Sequence, residues 1–253
     1  MKLTDNTILI TGGGSGIGRG LAEAFHALGN KVIIAGRREH TLTEVTDANP
    51  GMASVRLDID DPDAIQSFAE EVTEFHPTLN VLINNAGIMR PENLKAQRVS
   101  DAEAIITTNL LGPVRLTAAL LPHLQKQPSS AIINVSSALA FVPFPVTPIY
   151  SATKAALHSY TVSLRVQLKE TSVEVIEIIP PAVATDLTPG RSTDDPRMMS
   201  VKDYIAETMQ ILKTQPTPAE INVERAKFLR FAEATGSFDQ ALQMLSQIRL
   251  PSD

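Results

Sequence analysis

Short β-branched apolar runs that alternate with longer helical patterns constrain this chain more than any other feature. The runs over 6–11, 31–35, 53–57, 80–84, 130–136 and 173–179 each have the length and apolar continuity of a strand buried on both faces. Between them, 16–28, 39–48, 61–75, 101–126 and 151–170 read as helices. The third opens well, with Asp60 or Asp61 as cap and Pro62 in its first turn, whereas Pro113 should kink or break the fourth near Gly112. Such alternation predicts an α/β fold, a doubly wound parallel sheet with right-handed crossovers. The ligand of such a sheet sits beyond the carboxyl ends of its strands.

One of those ends carries a phosphate signal. The run Thr7-Ile8-Leu9-Ile10-Thr11 leads straight into Gly12-Gly13-Gly14-Ser15-Gly16-Ile17-Gly18, and a helix with Leu21, Ala24, Phe25 and Leu28 on one face follows. Glycines let backbone approach an anion closely, and a helix N-terminus offers unpaired N–H groups and the positive end of a dipole. The spacing is not the strict GxGxxG fingerprint, so the strand and helix around the turn carry the nucleotide reading. A second signal is Tyr150-Ser151-Ala152-Thr153-Lys154, in a helix-favouring context. Residues four apart are neighbours on a helix, so a phenol stands beside an ammonium. A nearby cation lowers a tyrosine pKa and fits it to exchange protons with a carbonyl or an alcohol oxygen.

Composition narrows the class. At 253 residues with no Pro/Gly/Ser-rich linker, the chain suits a single domain over 1–253. A net charge of −6 and the lack of any basic run argue against nucleic acid. No cysteine is present, so disulfides, thiolate metal sites and cysteine nucleophiles are excluded, and no metal is expected. The N-terminus lacks a signal-like stretch and no run of 18 apolar residues appears, so the expectation is a cytoplasmic protein with no membrane partner.

Taken in order, these motifs resemble the short-chain dehydrogenase/reductase family in its compact single-domain form, from about Thr4 to Asp186. Thr11-Gly12 through Gly16-Ile17-Gly18 is similar to its cofactor loop, and Asn84-Asn85-Ala86-Gly87 to the signature after its fourth strand. Asn109, Ser137, Tyr150 and Lys154 are similar to its catalytic tetrad, with Ser137 thirteen positions before Tyr150, a spacing that Ser136 misses. The resemblance implies a Rossmann-like fold, a nicotinamide cofactor and interconversion of a carbonyl and an alcohol. Tyr150 would give the proton, Ser137 hold the oxygen and Lys154 tune the tyrosine and bind ribose. Asn109 would hold a water leading to solvent.

The resemblance also implies cofactor contacts at Gly12, Ser15, Gly16, Ile17, Gly18, Asp58, Asn84, Ala86, Gly87, Tyr150, Lys154, Pro180, Val183 and Thr185. Asp58, the adenine-side residue, equally suits a turn cap. At the end of the second strand, Gly36 stands where an acid would bind the ribose hydroxyls of NAD, and Arg37 and Arg38 follow. A guanidinium binds phosphate through paired hydrogen bonds, so NADP(H) is preferred and NAD(H) is the lesser expectation. Both arginines also suit an ordinary solvated helix start. Ser15 takes a place where NADP-preferring relatives often carry a basic residue, and Pro181 replaces the usual glycine beside the nicotinamide.

The expected substrate pocket draws on Leu139, Val142, Phe144 and Leu187, under a lid at about 186–215. The tail from about 216 to 253 departs from the family. It lacks the glycine-rich end and final strand, and resembles a bacterial branch associated by genetic context with D-alanylation of teichoic acid. A tail of this kind favours a homo-oligomeric dimer over a tetramer. The leading reading is an NADPH-dependent carbonyl reductase acting on a small-molecule ketone or aldehyde. The alternatives are a non-catalytic NADP(H) sensor, which has no need of Tyr150, and a nucleotide-sugar epimerase or dehydratase, for which little substrate domain is left.

Overall fold

In a computed structural model that describes residues 1–96, 98–187, 195–215 and 218–248, the expected alternation is present almost element for element. The strands are β1 (Thr7–Thr11), β2 (Lys31–Gly36), β3 (Ala53–Arg56), β4 (Leu79–Asn84), β5 (Ser130–Val135), β6 (Val173–Ile178) and β7 (Glu220–Ile221). They pair in parallel in the order β3-β2-β1-β4-β5-β6-β7, so the order reverses between β1 and β4. β7 corrects the expectation that the tail lacks a closing strand: two residues pair with Glu177 and Ile178 of β6.

Helices cover both faces. α1 (Gly16–Ala27) buries Leu21, Ala22 and Phe25, and α2 (Glu39–Ala48) buries Leu42 and Val45. α3 (Pro62–Phe75) starts at Asp61, whose carboxylate accepts from the N–H groups of Asp63 and Ala64, with Pro62 first in the helix. The helix expected over 101–126 is divided into α4 (Val99–Ile106), a π-helical turn Thr107–Leu111 and α5 (Gly112–Leu124). Proline has no N–H, so Pro113 removes the donor that an α-helix would send to the Asn109 carbonyl. Val99–Leu124 is long and apolar enough to cross a membrane by length and composition, yet it buries Leu116, Leu120 and Leu124 beneath the sheet.

α6 (Pro148–Gln167) spans twenty residues behind β5 and β6. α7 (Val201–Thr214) packs with Tyr204, Thr208 and Leu212 inward, so much of the expected lid is part of the core. Met199 pairs with Val183, and its N–H and carbonyl bind Ala182 and Ala184. The stretch 188–194, near the start of the expected lid, lies outside the described residues. In the tail, α8 (Glu224–Arg230) and α9 (Phe238–Ser246) form a small third core with the segment after β5.

Candidate active site

The turn after β1 opens a cleft of about 550 Å³ at the carboxyl ends of β1, β2, β4 and β5. Gly12 has φ +67°, a conformation that costs other residues, and Gly18 is packed so tightly that a Cβ there would lie 2.3 Å from the Gly12 carbonyl oxygen. Thr11 and Asn85 join the turn to β4. The Thr11 hydroxyl accepts from the N–H groups of Asn85 and Ala86 at 3.0 and 3.1 Å, and the Asn85 amide donates to the Thr11 carbonyl at 2.9 Å. Ser15, at the start of α1, makes no side-chain cap. The first N–H groups of α1 therefore have no side-chain partner from Ser15 at the cleft. This cradle fits a phosphate-bearing dinucleotide on three counts: glycine backbone, a positive helix end and room.

Gly12, Ser15, Gly16, Ile17, Arg37, Arg38, Ala86, Gly87, Pro180, Val183 and Thr185 all line the cleft, as the sequence reading expects. Thr185 closes over the turn, its Cγ2 lying 3.1 Å from where a Gly16 Cβ would be. The two arginines divide their contacts. Arg37 Nη1 lies 3.1 Å from Asp60, and Arg38 Nη2 donates to the Ser15 hydroxyl at 3.2 Å. Arg38 is thus held at the glycine turn, while Arg37 is half exposed at the rim.

Three expected cofactor residues stand elsewhere. Gly18 lies beneath the turn rather than at its surface. Asp58 accepts from the Asp60 N–H at 3.1 Å, the turn role, while its neighbours Leu57 and Ile59 face the cleft. Asn84 is buried below the floor, where its amide donates to Thr117 at 3.0 Å and to Asn134 at 2.8 Å. Side chains alternate along a strand, so Asn84 and Asn85 point to opposite faces. Ile88, Met89, Arg90 and Thr108 also line the cleft, and sequence reasoning did not single them out. The first three directly follow the Asn84–Gly87 signature, and that adjacency was the available signal.

The four residues of the expected tetrad come together. Tyr150 and Lys154 lie on α6 with the ammonium 5.6 Å from the phenol ring centroid, and Ser137 is near enough to Tyr150 to ease its ionisation. Lys154 Nζ donates to the Val135 carbonyl at 2.8 Å. Asn109 is fully buried in the π turn. Its carboxamide accepts from the Ile88 N–H at 2.8 Å and donates to the Ile88 carbonyl at 2.9 Å and to Thr153 at 3.2 Å. The side chain of Asn109 is therefore committed to holding the segment after β4.

The electrostatics differ from expectation. Burial pushes the Tyr150 phenol up to about 12, opposed in part by Ser137. Burial also brings the Lys154 ammonium down to about 8, opposed in part by the charge of Glu177. Burial outweighs any help the phenolate draws from the Lys154 ammonium, so the net shift of Tyr150 is upward rather than downward. A phenol raised in this way is protonated at neutral pH, the form a proton donor needs.

The substrate side needs the largest correction. Leu187 lines the cleft, but Val142 is fully buried and Phe144 nearly so, both packed on Ala232, Ala241 and Leu245, with Leu139 half-buried on the same cluster. The tail helices occupy the volume that the sequence reading left open beside this segment.

Comparison with known proteins agrees with this geometry. Residues 6–196 match the short chain dehydrogenase family. The chain belongs to that family. It is 41% identical to the uncharacterised oxidoreductase DltE of Bacillus subtilis, over 97% of this chain and 98% of that protein, and so stands with the DltE-like bacterial branch. A short chain dehydrogenase from Burkholderia cenocepacia in complex with NADP superposes with a TM-score of 0.81 at 26% identity, over 98% of this chain and 100% of that one. A short-chain dehydrogenase from Streptomyces avermitilis gives 0.80 at 26% identity, over 96% of each chain. This short-chain dehydrogenase is thus an oxidoreductase by family.

Proposed function

We propose that the protein is an NADP(H)-dependent carbonyl reductase, working in the cytoplasm on a small ketone or aldehyde and reversibly on the matching alcohol. The observation that carries this reading is a buried Tyr150 that lines one cleft with Ser137 and Lys154, at the edge of a glycine cradle. The cofactor preference rests on Gly36 in place of an acid and on Arg37 and Arg38 at the end of β2.

The cradle of Gly12, Ser15 and Gly16 would hold the pyrophosphate, Arg37 and Arg38 a 2′-phosphate, and Pro180, Val183 and Thr185 the nicotinamide side. When bound, the nicotinamide supplies the hydride. Tyr150 gives its hydroxyl proton to the carbonyl oxygen as the C=O π bond opens, and Ser137 donates a hydrogen bond to the same oxygen. The resulting phenolate is stabilised by the Lys154 ammonium and takes its proton back by way of solvent. Alcohol oxidation runs these steps in reverse.

The test is NADPH and NADH consumption against a panel of ketones and aldehydes. Tyr150→Phe should abolish turnover while cofactor binding persists. Arg37→Ala and Arg38→Ala should each weaken NADPH and spare NADH, by roughly tenfold for one lost charge-assisted contact of ~1.5 kcal/mol. Tight cofactor binding without Tyr150-dependent turnover would instead point to a sensor. We also propose a dimer, because Ile106, Leu111, Val162 and Val166 leave apolar side chains exposed along the end of α4, the π turn and α6. A light-scattering mass of one or four chains would count against it.

A further inference from the structure

α6 carries a third functional-looking side chain in line with the first two. Tyr150, Lys154 and His158 are spaced by four and share one face of the helix. Opposite His158 stands Glu177 of β6, a carboxylate with no exposed surface. Its Oε1 accepts from the Ser136 hydroxyl at 2.5 Å, and its Oε2 lies 2.8 Å from His158 Nδ1. A carboxylate is acceptor-only, so in that form both neighbours donate to it. Burial of a charge is costly unless it is paired and hydrogen-bonded. A fully buried glutamate in the middle of a sheet, one strand from Ser137, therefore needs an account that packing alone does not provide.

Other charged groups face Glu177 from the tail. Glu220 of β7 and Arg230 of α8 form a two-pronged ion pair at 2.7 and 2.8 Å. Arg230 stacks on the Phe141 ring at 4.2 Å, and Phe141 meets the His158 ring edge-on at 4.7 Å. Arg165, farther along α6, is occupied by the carbonyls of Val175 and Ala219. The oxygens and ring nitrogens of His158, Glu177 and Glu220 lie within 4.8 Å of one another, the donor types of a metal site. Arg230 already neutralises Glu220, and Ser136 and His158 already satisfy Glu177 by hydrogen bonds, so the cluster is complete without a metal while the Glu177 charge is left unneutralised by Arg230.

We propose that Glu177 is a positioning residue for catalysis: clamped by Ser136 and His158, it acts as the buried counter-charge that keeps Lys154 an ammonium. This rests on the catalytic role given to Lys154 above. Lys154 is almost fully buried and its ammonium donates to a neutral carbonyl, that of Val135, so the cleft itself favours loss of its proton. Lys154 Nζ holds the carbonyl of Val135, and the next residue, Ser136, holds Glu177 through its hydroxyl, so the carboxylate stands one residue beyond the ammonium's own partner. From there it opposes that loss, and the Lys154 pKa settles at about 8. At that value about nine tenths of the lysine is charged at pH 7, and one unit lower only about half would be.

The test titrates the cofactor-free protein labelled with 13Cε-lysine, with the Lys154 signal assigned by its loss in Lys154→Met. The midpoint should lie near 8 in the parent protein. Glu177→Gln keeps the size and an acceptor for Ser136 but removes the charge, and should lower the midpoint by about one pH unit or more. The alkaline limb of kcat/KM for reduction should move down with it. Glu177→Asp keeps the charge one methylene farther back and should give a midpoint between the two. A lower Tm with an unmoved Lys154 midpoint in Glu177→Gln would make the residue structural and overturn the proposal. If Glu177→Gln does not fold, an unmoved midpoint in Glu177→Asp overturns it equally. Because the lysine signal needs neither substrate nor cofactor, this result stands apart from whether the protein is a carbonyl reductase.

Discussion

Gly18→Ala is the sharpest probe of the nucleotide cradle. The added methyl would lie 2.3 Å from the Gly12 carbonyl oxygen, 2.4 Å from Asn85 Nδ2 and 2.9 Å from the Gly12 carbonyl carbon. Ordinary contact needs about 3.4 Å or more between such atoms, so the turn must retreat by roughly 1 Å. Two of the three obstacles are backbone, and the third is the amide that ties β4 to Thr11. Overpacking of this kind costs about 1–3 kcal/mol. In a domain of this size each kcal/mol lowers Tm by roughly 2–4 °C, so thermal denaturation should show a loss of about 2–12 °C. NADPH affinity, measured by calorimetry, should fall by about tenfold or more, because the displaced turn carries the backbone proposed to meet the phosphates. Gly20→Ala is the control. Its methyl would meet the side chain of Ile205 at 2.7 Å, on the α7 side and away from the cradle, so it should cost stability without changing affinity. Unchanged Tm and affinity in Gly18→Ala would refute the idea that close packing under Gly12 shapes the cradle.

Two further outcomes follow from the same geometry. Lys154 has a folded pKa of about 8 against 10.5, so its contribution favours the folded state above 10.5 and is lost as pH falls through 8. Tyr150 has the opposite sign: held at about 12 against 10.0, its contribution is present below 10 and is lost as pH rises through 12. Urea denaturation against pH should therefore show a rise between about 8 and 10.5 that Lys154→Met removes. In the third core, Leu245→Ala should cost about 2–3 kcal/mol and raise KM for the carbonyl substrate more than it changes NADPH binding; equal loss of both would detach the tail from the substrate side.

The strands and the pairing of Tyr150 with Lys154 were legible because their signals are local, whereas Asn109 and Ser137 were picked out only through the family resemblance. A five-residue apolar run such as Thr7–Thr11 and a spacing of four between Tyr150 and Lys154 depend on strand and helix geometry alone. Pro113 likewise announced the break that appears as the π turn. The readings of Val142 and Phe144 failed because an apolar residue in a loop looks the same whether it faces a ligand or a distant helix, and only the positions of α8 and α9 decide. β7 escaped notice because two residues show no period. The direction of the Tyr150 shift was misread because its spacing to Lys154 reports a neighbour and not the burial of both. Glu177 was unremarkable in a strand whose other glutamate, Glu174, is only partly buried; its isolation inside the sheet is a tertiary fact.

The third core also orders events in time. Val142 and Phe144, a few residues beyond Ser137, rest on Ala232, Ala241 and Leu245, about a hundred residues later in the chain. During vectorial synthesis the sheet through β6 can assemble first, but the segment that follows Ser137 lacks part of its packing until α8 and α9 have emerged. A ribosome-bound chain arrested before 241 should therefore carry a formed nucleotide cradle and an unfinished substrate side, so that dinucleotide binding matures earlier than turnover.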